Sequence, residues 1–377
     1  MNTPATTVPS KVSFVVNRTR FAQSRLLTEP RLQGGELQPG QVLLAVDRFA
    51  FTANNITYAA MGKALRYWEF FPVEGEEGVI PVWGFADVVA SRCEEIKVGE
   101  RLYGYYPMAS HLLVEPVKIN AGSFVDGCAH RQSLPAIYNQ YIRSAADPIY
   151  SVDTEALQML LRPLFTTSFL LDDLFSDNQF FGADSLVLTS ASSKTAIGMA
   201  FLLQQRQGEP GRNTEILGLT SPGNRDFVAG LGCYDRVLTY DQVEALDAAV
   251  PTATVDFAGN GELLGRLHQH FDQQLKYSCL VGASHWDARG GAPAKLAGPS
   301  PQMFFAPTQA QKRLQQWGGA RFQQAVASAW LQFLGFVGDW MRIEEVQGSE
   351  AAERIYQQTL GGAIDPQTGY ILSLRQD

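Results

Sequence analysis

The stretch DSLVLTSASSKTAIGMAFLL, residues 184–203, contains a short apolar run, a loop of small residues and then apolar residues at helical spacing. This order predicts a strand, a turn and a helix, which is the layout of the two common phosphate-binding loops. One is the triphosphate loop that ends in Gly-Lys-Ser/Thr, which the pair Lys194-Thr195 partly matches. The other is the turn of a dinucleotide-binding fold.

The glycine positions separate these two alternatives. A triphosphate loop needs Gly at its start and before its Lys, but Leu188 and Ser193 occupy those places. A dinucleotide turn needs small residues, which begin here at Ser190, and a close-packing glycine on the following helix, here Gly198. The strict Gly-x-Gly-x-x-Gly pattern is absent, so a plain strand-to-helix turn stays open as an alternative.

On both sides of this stretch the chain shows strand patterns of two kinds. The strands predicted around it are 186–189, 215–220, 236–239, 254–257 and 277–281. Most are separated by enough chain for a crossover helix, which predicts an α/β fold with a parallel, doubly wound sheet. Residues 12–124 instead contain short strand-like runs between Gly and Pro, which favours an antiparallel barrel or sandwich. The last strand, 370–374, has no place in the parallel sheet and is expected to return to the first domain.

Length and charge limit the class of protein. A chain of 377 residues suggests more than one domain, and we place the domains at 1–150, 151–337 and 338–377. The formal charge of −8 and the absence of a basic run argue against a nucleic-acid or anionic-membrane partner. The apolar stretches are too short for a membrane span and the first residues lack the hydrophobic centre of a signal peptide, so a cytoplasmic protein is expected.

The end of the second predicted strand bears on the choice of nucleotide. An NAD site places Asp or Glu there to bind the ribose hydroxyls. Here the segment carries Ser221, Asn224 and Arg225, which suit the 2'-phosphate of NADP better than a bare ribose. A solvated arginine at the start of a helix is the alternative for Arg225.

These motifs resemble the medium-chain dehydrogenase/reductase superfamily, on its zinc-free quinone oxidoreductase and enoyl reductase side. The resemblance runs in the order of that superfamily through DSLVLTSASSKTAIGMAFLL, ILGLTSPGNRDFVAGLGCYDRVLTYD, VDFAGNGELL and YSCLVGAS. It extends more faintly to KVGERLYGYYPMASHLLVE and GGAIDPQTGYILSL, and so covers most of the chain. The chain fits a divergent branch of the kind catalogued as a domain of unknown function. The resemblance implies a GroES-like β-rich barrel domain, a Rossmann nucleotide-binding domain and an active site in the cleft between them.

The resemblance also implies which residues bind the nucleotide. By position these are Ser190, Ser192, Ser193, Lys194 and Thr195 at the pyrophosphate, Ser221, Asn224 and Arg225 at the 2'-phosphate, Tyr240 near the adenosine, and Ala258, Gly259, Asn260, Gly282 and Ser284 along the nicotinamide half. Ser193-Lys194 replaces a Gly-Gly pair of the superfamily. In relatives the backbone of this pair approaches the phosphate closely, whereas here Lys194 supplies a positive charge.

Catalytic zinc is not expected. The alcohol dehydrogenase branch binds zinc through cysteines and a His-Glu pair, and no His-Glu dipeptide occurs in this chain. His268 and His270 have ligand spacing, but we predict that they lie on the solvated face of a polar helix.

Hydride transfer without a metal needs orientation, a dry site and a hydrogen-bond donor for the developing oxyanion. Tyr58 is the donor predicted by position, with Asn54 and Asn55 in support, although a packed core aromatic is an equal alternative. The aromatic stretches ALRYWEFFP, YGYYP and QMFFAP favour an apolar or aromatic substrate, and ordinary core packing also accounts for most of their rings.

The sequence therefore predicts an NADPH-dependent, zinc-free oxidoreductase that reduces an activated C=C or carbonyl of a hydrophobic molecule, such as an enone, a quinone or an acyl thioester. A non-catalytic nucleotide-binding sensor or interaction protein on the same fold is the alternative, since no acid or base stands out. The superfamily also permits a homodimer.

Overall fold

The structure is a computed structural model that describes residues 10–206, 214–281 and 295–375. The chain forms two compact units. The first unit holds the residues up to Leu160 and from Arg342 onward, and the second unit runs from Leu161 to Met341. The sequence places the corresponding boundaries at 150/151 and 337/338. In the described ranges no helix is both long and apolar enough to cross a bilayer.

The elements are as follows. The strands are β1 (Ser10–Asn17), β2 (Ser24–Pro30), β3 (Val42–Phe51), β4 (Glu77–Val79), β5 (Pro81–Ser91), β6 (Arg101–Pro107), β7 (His111–Val114), β8 (Pro116–Val117), β9 (Ser123–Asp126), β10 (Gln140–Arg143), β11 (Ser185–Leu188), β12 (Glu215–Thr220), β13 (Arg236–Thr239), β14 (Thr252–Asp256), β15 (Leu275–Leu280), β16 (Gln302–Met303), β17 (Arg342–Gln347) and β18 (Thr368–Ser373). The helices are α1 (Ala53–Ala60), α2 (Glu155–Asp177), α3 (Lys194–Gln205), α4 (Arg225–Gly230), α5 (Gly261–Phe271), α6 (Ala306–Trp317), α7 (Gly319–Gly338) and α8 (Ser349–Leu360).

The second unit is built on a parallel sheet with the strand order β13-β12-β11-β14-β15-β16. Every pairing in it is parallel, so the connections cross over the sheet. Counted within the sheet, this is the order 3-2-1-4-5-6 of doubly wound dinucleotide-binding folds. The strands predicted from the sequence are all present, with shifts of one or two residues at some ends. The predicted fold class is confirmed.

Both faces of this sheet are buried. In β11, Leu186 and Leu188 pack in one hydrophobic cluster with residues of α2 and α3. Val187, between them, packs on the other face with residues of α5. Successive side chains of a strand point to opposite faces, so a sheet covered on both sides requires continuous apolar strands. Burial on both faces of the sheet therefore explains the apolar run at the start of the stretch 184–203.

The first unit contains two sheets that are mainly antiparallel. One has the order β2-β1-β4, and the other runs β17-β18-β3-β5-β6-β10-β9-β8, with β7 also paired to β3. Strand β3 pairs with β5 on one side. On its other side it pairs with β7 at residues 42–45 and with β18 at residues 49–51. The C-terminal strand β18 therefore completes a sheet of the first unit.

The helix α8 is not capped by the residue that its sequence suggests. Ser349 reads as the capping residue, but it is the first residue of the helix, and Gly348 occupies the cap position with φ of 90°. The Gly348 amide donates to the Ser373 carbonyl at 3.0 Å. The helix start is thus fixed by the backbone of β18, in a conformation that favours glycine.

Candidate functional site

The turn after β11 lies where the order of the parallel sheet reverses, between β11 and β14. Ligands of open α/β sheets bind at such a switch point, outside the carboxyl ends of the strands. Ser190 adopts a left-handed backbone conformation, with φ of 49°. The Ser193 amide donates to the Ser190 carbonyl at 2.7 Å, which closes a tight turn directly before α3. A left-handed conformation in a non-glycine residue is strained and often marks a functional turn.

The side chains of this turn connect it to the next strand. Ser193 caps α3, because its hydroxyl accepts from the Ala196 amide at 3.3 Å. Ser192 Oγ accepts from Asn224 Nδ2 at 3.1 Å and lies 3.5 Å from Thr220 Oγ1. The structure therefore brings Ser192 and Asn224, two residues predicted to bind different phosphates, into direct contact. The first turn of α3 also carries Lys194 and is a favourable place for an anion.

The helix α3 approaches α2 closely at Gly198. A Cβ at this position would lie 2.8 Å from Ser168 Oγ and 3.2 Å from Ser168 Cβ. The Ser168 hydroxyl is held in place by the carbonyls of Thr195, at 2.7 Å, and Leu164, at 3.0 Å. Gly198 thus has the close-packing role that the sequence predicts for it.

Tyr240 contacts the same turn. Its hydroxyl is hydrogen-bonded to Ser190, and burial raises the pKa of Tyr240 to about 12. The phenol therefore stays neutral near pH 7. The sequence places this residue near an adenosine, whereas the structure shows its hydroxyl bonded to Ser190, in the turn after β11.

A buried pair that the sequence analysis missed organises the loop after β14. Thr189 Oγ1 donates to Asp256 Oδ1 at 2.5 Å, and both side chains are buried. Asp256 Oδ1 also accepts from the amides of Ala258, at 3.0 Å, and Gly259, at 3.3 Å. Gly259 has φ of 71°, and Asn260 follows as the cap of α5, accepting from two amides of its first turn.

These contacts fix three of the residues predicted along the nicotinamide half. Ala258, Gly259 and Asn260 all belong to the loop held by Asp256. The other two, Gly282 and Ser284, lie outside the described residues. The Asp256 pairing with Thr189 could have been suspected only from the polar residues that end both neighbouring strands.

At the carboxyl end of β12, Arg225 begins α4 with an exposed side chain. Its guanidinium lies 3.5 Å from Asp226, whose carboxylate is also exposed. Exposed ion pairs of this kind contribute little to stability, so the pair does not hold Arg225 away from an anion. Ser221, partly buried, precedes it on the same connection, and no acidic residue lies between them.

In the first unit, six aromatic side chains from several elements form one group, here called the aromatic cluster. Its members are Tyr58, Tyr67, Phe70, Trp83, Tyr105 and Tyr138. Trp83 on β5 and Tyr105 on β6 are paired neighbours on adjacent strands, with ring centroids 5.0 Å apart. Tyr58 reaches the cluster from α1, and its ring centroid lies 4.7 Å from that of Tyr67, with the two rings tilted by 47°. Of the three aromatic stretches noted in the sequence, ALRYWEFFP and YGYYP meet here.

The third stretch, QMFFAP, has a different place. Phe304 packs against the hydrophobic core of the second unit, and Met303 is exposed. Core packing, the alternative weighed for these rings, therefore accounts for Phe304.

Tyr58 lies within the aromatic cluster with its oxygen accepting a hydrogen bond. Trp83 Nε1 donates to the Tyr58 oxygen at 3.2 Å, and the Asn54 side chain is also hydrogen-bonded to it. Burial is the largest cause that raises the pKa of Tyr58 above its usual value. An indole N–H can only donate, so the Tyr58 oxygen accepts this bond and its own proton remains for donation.

Asn54 and Asn55, predicted to assist Tyr58, differ in their surroundings. Asn55 is buried and its side chain serves the fold: Oδ1 accepts from the Thr52 amide at 2.8 Å and Nδ2 donates to the Pro81 carbonyl at 2.9 Å. Asn54 is partly exposed and contacts Tyr58 directly. The structure thus brings Asn54 to the hydroxyl and engages Asn55 in the capping box of α1.

No metal centre is apparent in the ranges that the structure covers, where no three His, Cys, Asp or Glu side chains are arranged to bind an ion. The prediction that His268 lies on a solvated face is wrong. Its side chain is buried, with Nδ1 donating to the Ala297 carbonyl at 2.6 Å and Nε2 accepting from the Ser278 hydroxyl at 2.9 Å. The reason is that α5 packs this residue against β15, and burial lowers the pKa of the imidazole.

The parallel sheet of the second unit and the β-rich first unit with its aromatic cluster define a class of protein by fold: a doubly wound α/β unit of the dinucleotide-binding type in one chain with a mainly antiparallel β-rich unit. Within that class, the chain belongs to the family DUF2855, described as a protein of unknown function, which matches residues 49–365. A comparison with curated proteins finds no match.

Solved structures share the fold at low sequence identity. CurA from Vibrio vulnificus superposes with a TM-score of 0.62 at 15% identity, covering 97% of this chain and 99% of CurA; CurA has also been solved in complex with NADPH. The yhdH oxidoreductase from Salmonella enterica, in complex with NADP, gives 0.52 at 12% identity, over 97% of this chain and all of that one. A mutant enoyl thioester reductase from Candida tropicalis gives 0.55 at 11%, with the same coverage.

Proposed function

We propose that this protein is an NADPH-dependent reductase that acts without a metal on an activated C=C or carbonyl of a hydrophobic compound. The observation that carries the proposal is the turn at the switch point of a 3-2-1-4-5-6 sheet, joined through Ser192 and Asn224 to a second strand end that lacks an acid. This combination suits a dinucleotide with a phosphorylated ribose. The nucleotides bound by CurA and by the yhdH oxidoreductase agree with it.

The residues of the second unit fit such a nucleotide. The tight turn at Ser190 and the capped start of α3 offer backbone donors to a pyrophosphate, and Lys194 adds a positive charge. Asn224 and Arg225 offer donors to the 2'-phosphate. The loop held by Asp256 would border the nicotinamide half. When bound, NADPH supplies a hydride.

The aromatic cluster of the first unit is assigned to the substrate. Aromatic side chains give an apolar surface, and a few placed hydroxyls orient a bound carbonyl compound. Tyr58 would donate its proton in a hydrogen bond to the substrate oxygen, where negative charge develops as the hydride is accepted. Its raised pKa keeps the phenol protonated for that role. Asn54 and Trp83 would hold the Tyr58 oxygen.

A nucleotide titration tests the cofactor assignment. NADPH is expected to bind more tightly than NADH, and Arg225→Ala is expected to remove most of the difference, about 1.5 to 3 kcal/mol, because an ion pair with the 2'-phosphate is lost. Arg236→Ala is the matched control, since Arg236 is similarly exposed but begins β13, at the amino end of the strand. Equal affinity for NADPH and NADH in the wild-type protein, or tighter binding of ATP, contradicts the assignment.

A non-catalytic nucleotide-binding protein is the second candidate. The observation in its favour is that Asn55 is engaged by the Thr52 amide and the Pro81 carbonyl, which leaves Tyr58 and Asn54 as the remaining predicted catalytic groups. This candidate predicts NADPH binding with no turnover.

A further inference from the structure

Tyr105 is a buried tyrosine whose hydroxyl has no hydrogen-bond partner among the described residues. The side chain is fully buried on β6. The adjacent Tyr106 is equally buried, but its hydroxyl donates to the Leu102 carbonyl at 3.0 Å. Buried polar groups in native proteins are almost always hydrogen-bonded, and an exception calls for a specific explanation, such as a bound molecule or a catalytic role.

The fold holds Tyr105 in this position from two directions. Its backbone lies in the β5–β6 ladder opposite Trp83. Its carbonyl also accepts a bond of 3.0 Å from the Tyr141 hydroxyl. The Tyr141 hydroxyl in turn accepts from Arg131 Nη1 at 2.8 Å, and the buried Arg131 is paired with Asp126. These contacts fix the backbone of Tyr105, and the rings packed around its side chain restrict the rotation of its own ring.

The surroundings of the hydroxyl specify what it can bind. The neighbouring rings include Tyr138, at 4.8 Å between centroids, Trp83, at 5.0 Å, Phe70, at 5.4 Å, and Tyr58, at 5.6 Å. Burial raises the pKa of Tyr105 well above its usual value, so the group remains an O–H donor. The nearby cation, Arg131, is already committed to Asp126 and to tyrosine oxygens. A donor in an apolar, aromatic setting is suited to an uncharged acceptor oxygen on a planar molecule.

We propose that the Tyr105 hydroxyl binds the carbonyl oxygen of a planar, uncharged aromatic ketone, as a second donor beside Tyr58. The inference rests on the proposed function, since it takes the aromatic cluster as the substrate site. The ligand enters by displacing the Tyr138 ring, which sits on a short turn, Ala136–Tyr138, and whose hydroxyl makes, among the described residues, one long contact of 3.3 Å with the Tyr67 hydroxyl. The Tyr138 backbone keeps its bond from Arg131 Nη2, at 2.7 Å.

The test compares Tyr105→Phe with the matched control Tyr106→Phe. Binding of chromone, a planar uncharged ketone, and of naphthalene, which lacks an acceptor, is measured by calorimetry without nucleotide, together with urea unfolding of each variant. Tyr105→Phe should weaken chromone binding about tenfold, leave naphthalene binding unchanged and leave stability equal or higher. Tyr106→Phe should lower stability, since it removes a satisfied bond, and leave chromone binding unchanged.

Three results overturn the inference: no chromone binding by the wild-type protein, equal chromone binding by wild type and Tyr105→Phe, or an equal loss for chromone and naphthalene. NADPH titration of the same preparations separates this failure from failure of the proposed function. If NADPH binds while chromone binding does not depend on Tyr105, the inference fails and the cofactor assignment stands. If chromone binding depends on Tyr105 while NADPH does not bind, the carbonyl site stands and the reductase proposal fails.

Discussion

At the scale of single residues, the direction of each hydrogen bond shows which proton remains available for donation, and burial alone does not show this. Trp83 can only donate, so the Tyr58 oxygen must accept from it, and the Tyr58 proton is left for another acceptor.

The same reasoning applies to His111. Arg31 Nη1 lies 2.9 Å from His111 Nε2, and because a guanidinium only donates, Nε2 accepts and the proton lies on Nδ1, 3.0 Å from Ser110 Oγ.

This arrangement predicts a pH dependence of stability. Burial, with the charge of Arg31 in addition, lowers the pKa of His111 from 6.5 to about 4. The unfolded chain therefore binds the proton first as pH falls, so the stabilisation is complete above about pH 6.5 and is lost progressively down to about pH 4. It amounts to at most about 3 kcal/mol.

Urea unfolding between pH 7 and pH 5 measures this effect. The wild-type protein should lose more free energy of unfolding over that interval than His111→Gln, which has no imidazole to protonate. The control is His130→Gln, because His130 is exposed. Identical pH dependence in wild type and His111→Gln would show that His111 does not carry the effect.

The limits of the sequence prediction also lie at this scale. Tyr58 was predicted by its position in the sequence, with Asn54 in support, and the structure shows that the two share a helix. Trp83 and Tyr105 could not be joined to it, because they meet through the register of β5 and β6, which a single sequence does not reveal. Asn55 was grouped with Asn54 by adjacency, yet neighbouring residues on a helix point in different directions.

At the scale of elements, the packing of α3 on α2 depends on one glycine. Gly198→Ala would place a Cβ 2.8 Å from the hydrogen-bonded Ser168 hydroxyl, and we expect it to destabilise the protein by about 1 to 3 kcal/mol. Gly335, within α7, is the matched control, because a Cβ there would meet nothing within 4 Å. Gly335→Ala should instead stabilise by up to about 1 kcal/mol through helix propensity.

Thermal or urea unfolding of the two variants tests this prediction, because the free energy of unfolding should fall for Gly198→Ala and rise for Gly335→Ala. Stabilisation by Gly198→Ala would mean that α2 yields to the extra methyl group, and that the glycine is not required for packing.

The loop after β14 shows what the sequence could not provide at this scale. The segment FAGN was selected by resemblance, and its glycine does have a positive φ. The bond between Thr189 and Asp256 that shapes the loop joins residues far apart in the chain, and it exists because β11 and β14 are neighbours in the sheet. Knowledge of the strand order is needed before such a pair can be inferred.

At the scale of the whole molecule, the regular alternation of strands and helices was sufficient for the second unit. Parallel strands with crossover helices have few allowed arrangements, so Leu186 to Leu188 and the strands after it could be assigned from their apolar runs. The first unit was less predictable. Strand β3 is shared along one side between β7 and β18, a partition that depends on contacts distant in sequence.

The central claim is that the molecule transfers a hydride from NADPH to a carbonyl compound, with Tyr58 as the donor to its oxygen. The direct test follows NADPH absorbance with a panel of quinones, alkenals and aryl enones, for wild type, Tyr58→Phe and the control Tyr106→Phe. We expect turnover by wild type, and a rate lower by about 10² in Tyr58→Phe at nearly unchanged NADPH affinity, because the donor acts in the transition state. Confirmed NADPH binding with no oxidation across the panel would contradict the claim and favour the binding protein, and an unaltered rate in Tyr58→Phe would contradict the role of Tyr58.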